Sequence, residues 1–320
     1  FLGEMARETF RPHNAFTVGE VFNEKKEEIK DFIGENGYFS TMFDFAETVY
    51  GKSQKGWYDS SAFLTPEEYK SCIFAAQEKI GDVGMISNII ENHDEPRGVS
   101  HYILPEDLCD ESKKLLAGVY FMLRGLPFIY QGQEIGMENT VFQSIEDVDD
   151  VSTLDEYRVA LNAGLGEEEA LKKVAAFSRD NAPTPMQWNT GKNAGFTEGT
   201  PWLRTNPNYL RINVEAQEKD ENSVLAFYKK LIALRKSEEY KETVVYGKLV
   251  PFMEQEKNLI GFTREGDKKL LVLANFQKEP RQVVLPSEME KLLLNNLKDL
   301  DLKDGKINMG AYQFIVLELR

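Results

Sequence analysis

Val83-Gly84-Met85-Ile86-Ser87-Asn88-Ile89-Ile90 is an apolar, β-type run that stops abruptly at Glu91-Asn92-His93-Asp94-Glu95-Pro96-Arg97, a cluster of groups that hydrogen-bond or carry charge. A strand ending this way fits a barrel of parallel strands, where chemistry sits at the carboxyl ends. A second run, Ala15-Phe16-Thr17-Val18-Gly19, ends in the same fashion on Glu20. Two carboxylates at the ends of two apolar strands suggest a sugar-cleaving site, because glycosidic cleavage uses a pair of carboxyl groups. Each alone reads more readily as an ordinary acidic residue at a strand end.

Working outward from these runs, strand and helix patterns alternate. Phe1 to about Arg11 reads as the end of a helix, and Glu24 to Ile33 as a charged helical stretch. Tyr38 to Phe45 is aromatic-rich and strand-like. Thr65-Pro66-Glu67-Glu68 marks a helix start, with Thr as N-cap, Pro at the first helical position and Glu closing a capping box. That helix is expected to run to about Lys79. Ser112 to Arg124 forms the next, with Leu115, Leu116, Val119 and Leu123 on one face and Gly125 as its stop. A short strand, Pro127 to Tyr130, runs into Gln131-Gly132-Gln133-Glu134. The alternation implies parallel βα units, four in number, which is half of an eight-fold barrel.

Residues 139–208 break this rhythm with an acidic run, Glu146-Asp147-Val148-Asp149-Asp150, a helix near Glu167 to Ala176, and a loop rich in Pro, Gly, Asn and aromatics. A long insertion after a strand is usually a lid or a pocket wall. The acidic run lacks the glycine and closing Glu of a calcium loop and reads as a solvated face. Asn222 to Lys236 is an amphipathic helix. Beyond Tyr240 the texture changes to short strands at Thr243–Val245, Leu259–Thr263, Leu270–Asn275, Gln282–Leu285 and Gln313–Leu319, with turns at Glu265-Gly266-Asp267 and Asp304-Gly305. The expected organisation is barrel over 1–138, insertion over 139–208, last barrel helix over 209–240 and an antiparallel β domain over 241–320.

At 320 residues, the chain accommodates one large domain and a small one; 42% hydrophobic and 28% charged content marks it as soluble and globular. A net charge of −15 makes nucleic acid or an anionic membrane surface an unsuitable partner. No apolar run approaches the roughly 20 residues of a membrane span. Cys72 and Cys109 lie in helix-like stretches without metal-ligand spacing, and read as reduced, structural thiols of a cytoplasmic protein. No cofactor or metal is expected. The start at Phe1-Leu2-Gly3-Glu4 reads as the middle of a protein.

With these residues in view the chain resembles the α-glucosidase branch of the α-amylase family of glycoside hydrolases, which includes oligo-1,6-glucosidases, dextran glucosidases and trehalose-6-phosphate hydrolases. The matching motifs are Thr17-Val18-Gly19-Glu20, Asn92-His93-Asp94-Glu95-Pro96-Arg97, the stretch from Gly125 to Met137, Ser178-Arg179-Asp180-Asn181-Ala182, Pro185-Met186-Gln187-Trp188, Asn193-Ala194-Gly195-Phe196 and Ile212-Asn213-Val214. Each is short; their order makes the set specific. The resemblance implies strands 5 to 8 of a (β/α)8 barrel, then a small antiparallel β-sandwich. It also implies a retaining glycosidase acting on a small oligosaccharide. In it Glu20 matches the general acid/base, Asp94 the third carboxylate that stabilises the transition state, and His93 and Arg179 groups that bind the sugar. A general acid must start protonated, so a raised pKa is expected at Glu20.

Three departures from the family pattern bear on specificity. Pro183 stands where Arg is usual, Asn189 where Asp is usual, and Ser152 where 1,6-specific members carry Glu. No Gly-Phe-Arg-x-Asp motif, which holds the family's nucleophile, occurs in these residues, so this polypeptide alone is expected to be inactive. An open half-barrel is also expected to self-associate through its edges. His13 and His101 read as ordinary surface or structural histidines, Phe39, Phe43 and Phe45 as barrel filling, Arg97 as either a pocket residue or a salt-bridge scaffold, and Trp188 and Trp202 as loop packing or sugar platforms.

Overall fold

The computed structural model describes residues 1–22, 24–43, 45 and 52–320. Four short strands, β1 (Val18–Gly19), β2 (Thr41–Phe43), β3 (Ile86–Asn88) and β4 (Leu126–Pro127), form a parallel sheet in chain order. Val18 pairs with Thr41, Met42 with Ile86 and Ser87 with Leu126. These stand at the four expected places. Strands β1 to β3 are shorter than their apolar runs, and β4 starts at Leu126, one residue early, and stops at Pro127, so Phe128 to Tyr130 are not strand. Asp44, within the second run, lies outside the described residues. Parallel neighbours need a crossover. Here α1 (Leu2–Met5) precedes the sheet and α2 (Ile29–Ile33), α3 (Pro66–Ile80), α4 (Gly98–Tyr102) and α5 (Asp110–Met122) fall between strands. The capping box at α3 forms as expected: Thr65 N donates to Glu68 Oε2 at 2.8 Å and Glu68 N to Thr65 Oγ1 at 3.3 Å.

Helix α5 is buried on all sides, with Leu115, Leu116, Val119 and Tyr120 at 0% exposure. It ends at Met122 rather than Arg124, and Gly125 follows with φ of +134°, where a Cβ would lie 2.4 Å from the Ile86 carbonyl oxygen. Only glycine fits that approach of chain to β3.

The insertion is more helical than expected. The acidic run leads directly into α6 (Val151–Asn162), which packs against α7 (Glu167–Ala175). Asp150 caps α6, accepting from Ser152 N at 3.3 Å and Thr153 N at 3.0 Å. The reading of that run as a solvated face holds for Glu146 and Asp149, which are exposed, and is corrected for Asp150, which is buried, and Asp147, which pairs with Arg204 at 2.9 Å. A chain leaving a loop needs an N-cap, and Asp is among the best.

After α8 (Val214–Glu218) and α9 (Val224–Lys236), Thr243–Val245 is not a strand but part of α10 (Lys241–Tyr246). Its β-branched residues are recruited to a helix because Val244 packs into the main core, while the Thr243 hydroxyl accepts from Lys268 N at 3.0 Å. The rest is antiparallel. Strands β5 (Lys248–Pro251), β6 (Leu259–Glu265), β7 (Lys269–Asn275), β12 (Phe314–Leu319) and β9 (Met289–Asn295) form one sheet in the order β5-β6-β7-β12-β9. A second sheet runs β10 (Asp301–Lys303), β11 (Lys306–Met309), β8 (Arg281–Val284). Asp304 and Gly305, with φ of +49° and +71°, make the predicted tight turn between β10 and β11.

The two sheets share a core of Leu271, Leu273, Ile315 and Leu317 against Val283, Ile307 and Met309. The outer face of the larger sheet belongs to the main core: Ile260, Phe262, Val272 and Phe314 cluster with Leu115, Leu116, Phe227 and Leu231. Arg264, wholly buried, donates to Met122 O at 2.6 Å and Gly247 O at 2.8 Å, tying β6 to the end of α5.

Candidate active site

Because the four strands are parallel, Glu20 and the segment after β3 emerge at the same end of the sheet. Glu20 follows β1 directly and is exposed, with no hydrogen bond or ion pair to any described residue. Strand β2 separates β1 from β3, so these strand ends stand roughly 10 Å apart at the ordinary strand spacing. The structure does not bring Glu20 into contact with Asp94.

It does bring Asp94, His93 and Arg179 together. His93 Nε2 lies 3.1 Å from Asp94 Oδ2, and Arg179 Nη1 lies 3.3 Å from Asp94 Oδ1. Arg179 Nε lies 3.0 Å from Asp150 Oδ1, so one guanidinium joins the β3 segment to the cap of α6. Asp150 was not singled out from the sequence as a site residue; its signal is the Asp-x-x-Thr cap before a helical run. Ser178 positions Arg179 by accepting from Asp180 N at 3.3 Å and from Thr153 Oγ1 at 2.9 Å.

Asp94, Asp150 and Arg179 border a cavity of about 180 Å³ lined also by Lys52, Trp57, Glu95, Ser152 and Phe177; His93 does not line it. Trp57 forms its apolar wall, packed on Phe177 at 5.6 Å between ring centroids and held by a 2.8 Å bond from its backbone N–H to Glu156 Oε2. Trp188 and Trp202, the tryptophans suspected from sequence, do not line it; both are exposed, and Trp202 Nε1 donates to Asp149 Oδ2 at 3.1 Å. Glu95 is half-buried; burial holds its carboxyl above the ordinary range, Lys52 pulls it down and Asp94 pushes it up.

Beneath the cavity lies a buried support. Arg97 and Glu91 meet at 3.0 Å with both side chains 1% exposed, and burial still pushes the Glu91 carboxyl above its usual range against the pull of Arg97. Glu91 Oε2 accepts from Gly98 N at 2.6 Å. Arg97 donates to Gln131 O and Ala182 O, each at 2.7 Å, and its guanidinium lies 5.3 Å from the centre of the Tyr130 ring. Of the two roles the sequence left open, Arg97 is thus the scaffold, joining the β3 segment, the loop after β4 and the insertion. His13 is exposed, whereas His101 is packed with Nδ1 2.8 Å from Ala62 O. Phe43 packs edge-on against Phe128 at 5.1 Å and near Phe45 at 5.7 Å, and Phe45 stacks on Phe22 at 4.6 Å. Phe39 lies 6.4 Å from Phe10. No cluster of metal-ligating side chains occurs among the described residues.

Residues 1–247 match the model of the alpha amylase catalytic domain, and residues 259–316 match that of the alpha-amylase SusG C-terminal domain. The chain belongs to the α-amylase family. It is 37% identical to the probable oligo-1,6-glucosidase 2 of Bacillus subtilis strain 168, over 96% of this chain and 55% of that protein. Among solved structures it superposes on the trehalose-6-phosphate hydrolase TreA of Bacillus licheniformis with a TM-score of 0.91 at 33% identity, covering 99% of this chain and 58% of the other. It superposes on the trehalulose synthase MutB of Pseudomonas mesoacidophila MX-45 with a TM-score of 0.89 at 31% identity, covering 100% and 58%. The chain spans about half the length of the curated relatives it matches. Its fold is that of these α-amylase-family enzymes. No helix among the described residues is long and apolar enough to cross a membrane.

Proposed function

We propose that this chain is the C-terminal portion of a retaining α-glucosidase that acts in the cytoplasm on α-1,6 or α-1,4 bonds at the non-reducing end of short oligosaccharides. In this reading β1 to β4 are strands 5 to 8 of an eight-stranded barrel. Residues 1–138 and 209–240 belong to the barrel, 139–208 wall the pocket, and 241–320 form the β-sandwich. The observation that carries it is Arg179 held between Asp94 and Asp150, beside His93 and at the carboxyl end of the parallel sheet.

Glu20 is the general acid/base. It protonates the departing oxygen and then takes a proton from the water that cleaves the glycosyl-enzyme. Asp94, oriented by Arg179, stabilises positive charge at the anomeric carbon. His93 and Arg179 grip hydroxyls of the outermost glucose. A retaining mechanism needs its nucleophile about 5 Å from the acid/base. Asp94, anchored to Arg179 beyond the third strand, is not placed for that task. The nucleophile belongs to the first half of the barrel, and the 320 residues alone are inactive.

Release of nitrophenol from 4-nitrophenyl α-glucoside tests this in the full-length protein and in the 320-residue chain. Activity in the first and none in the second is expected. Turnover by the 320 residues alone overturns the assignment of an upstream nucleophile, and silence in both favours a non-catalytic amylase-like domain. Likeness to TreA supports a second reading, hydrolysis of trehalose 6-phosphate, and a sucrose-processing relative is a further alternative; glucose release from those two sugars separates them.

A further inference from the structure

We infer that the protein holds a second ligand site, in a cavity walled by α6, α7 and the start of the insertion, and that this site takes a small amphipathic organic cation: an apolar body with an ammonium or guanidinium end. The cavity measures about 1060 Å³, large enough for a small-molecule ligand. It shares no lining residue with the cavity beside Asp94. Nothing in the glucosidase reading uses it, and the inference stands or falls apart from that reading.

Much of the wall is apolar. Ile103 and Leu108 come from the segment after α4, Phe142 and Ile145 from the start of the insertion, and Leu161 and Leu171 from α6 and α7. Polar groups at the start of the insertion are largely spent within the fold. Asn139 Oδ1 accepts from Arg97 N at 2.8 Å, Asn139 N donates to Ser100 Oγ at 2.9 Å, and Thr140 N donates to Asn181 Oδ1 at 2.9 Å. A sugar, which needs free donors and acceptors around its ring, is poorly served there. An apolar body gains by leaving water for such a wall.

The charges around the cavity select the other end of the ligand. Glu146, Glu167 and Glu168 line it against a single basic residue, Lys172, among the described residues. A fourth carboxylate, Glu138, is already neutralised by Lys113 and Arg211. Glu167 and Glu168, in the first turn of α7, are exposed, and their carboxylates make no hydrogen bond or ion pair among the described residues. Tyr157, also in the wall, marks where the negative potential gathers. Burial raises its hydroxyl above the ordinary pKa, and Glu167 and then Glu146 raise it further. Both carboxylates therefore act on one place in the wall, where an aromatic ring also attracts cations over its face. An anion is repelled from the same place.

The test is equilibrium dialysis of the full-length protein at pH 7 and about 0.15 M salt. Three probes share one apolar body: 4-phenylbutylamine, 4-phenylbutanol and 4-phenylbutanoate. The amine is expected to saturate one site, the alcohol to bind about tenfold more weakly, and the carboxylate more weakly still. Glu167→Gln together with Glu168→Gln is expected to bring the amine down to the affinity of the alcohol and to leave the alcohol unchanged. Both probes are read on the same variant, so partial misfolding lowers both and leaves their ratio. Val141→Arg, at an exposed position in the wall, is expected to weaken the amine about tenfold and to strengthen the carboxylate. Glu95→Gln, in the cavity beside Asp94, is expected to leave the amine unchanged. An amine weakened by Glu95→Gln and not by the changes at Glu167 and Glu168 sits beside Asp94 and overturns the inference. So does an alcohol that binds as tightly as the amine, and so does an amine that fails to bind at millimolar concentration.

Discussion

Arg179 Nη1 lies 3.3 Å from Asp94 Oδ1, across 85 residues of sequence, while the same guanidinium reaches Asp150 through Nε at 3.0 Å. Lysine has one charged nitrogen and cannot hold two carboxylates in this fork geometry. Arg179→Lys and Arg179→Ala are both expected to reduce kcat/KM of the full-length protein by roughly 10- to 100-fold, the loss of one or two charge-assisted bonds. Circular dichroism should remain unchanged, since Arg179 is half-exposed. A lysine variant with full activity would show that bridging is not the role.

The Glu91–Arg97 pair makes a different prediction, because both partners are out of water. Arg97→Met leaves a buried carboxylate facing no cation and should cost about 3–5 kcal/mol. Adding Glu91→Gln removes the stranded charge and keeps an acceptor for Gly98 N, so the double variant should regain part of the loss. Thermal unfolding of the two variants decides it; equal Tm values would count against an uncompensated charge as the cause.

Glu138 supplies the pH dependence. Burial by itself would raise its carboxyl, but Lys113 at 2.6 Å and Arg211 at 3.1 Å outweigh burial and hold it below the ordinary value of 4.5. A carboxyl with a depressed folded pKa stabilises the fold above its unfolded pKa and loses that contribution as pH falls through the folded one. Glu138→Gln should therefore lower Tm at pH 7, and the gap from the unaltered chain should close as pH drops below about 4.5. A constant gap across that range would rule out the linkage.

Gly118, in the middle of α5, faces the ring of Phe314; a Cβ there would lie 2.5 Å from Phe314 Cζ. Alanine ordinarily improves a helix interior by about 1 kcal/mol over glycine. Forcing a methyl against a wholly buried ring costs about 1–3 kcal/mol. Gly118→Ala is thus expected to lower stability by about 1 kcal/mol in denaturant titrations, contrary to its helix propensity.

Strands β1 and β4 are the edges of the parallel sheet, and Phe16 and Phe22 near β1 are 63% and 56% exposed. Unpaired edges flanked by exposed aromatics favour association. On a sizing column the 320-residue chain is expected to elute ahead of a monomer standard. Monomeric elution at micromolar concentration would contradict this.

The parts legible in sequence are those where local chemistry and tertiary demand agree. The Thr65 capping box, the four parallel strands and the Asp304-Gly305 turn each announce themselves through residues whose preferences the fold respects. The segments misread are those where packing overrides preference. Thr243 to Val245 has strand-forming residues but is held in α10, and Met289-Glu290-Lys291-Leu292-Leu293-Leu294-Asn295 lacks alternation yet forms β9 by pairing with β12 through two register shifts. In the site, Asp94, His93 and Arg179 were visible because they lie in distinctive motifs. Asp150, Glu95 and Trp57 were not assigned roles, because what brings them together is the packing of α6 and α7, which leaves only a capping pattern in the sequence.

Arg264 has one further consequence. The catalytic-domain match ends at Gly247 and the C-terminal match begins at Leu259, which invites cutting the chain between them. Yet Gly247 and Met122 are the residues whose carbonyls Arg264 grips, and β6, β7 and β12 complete the core around α5. The seam between the two matches is a seam of ancestry and not of folding. The β region behaves as a keel: it can be exchanged among relatives only together with the helix face it seals, and the chain should melt in a single step.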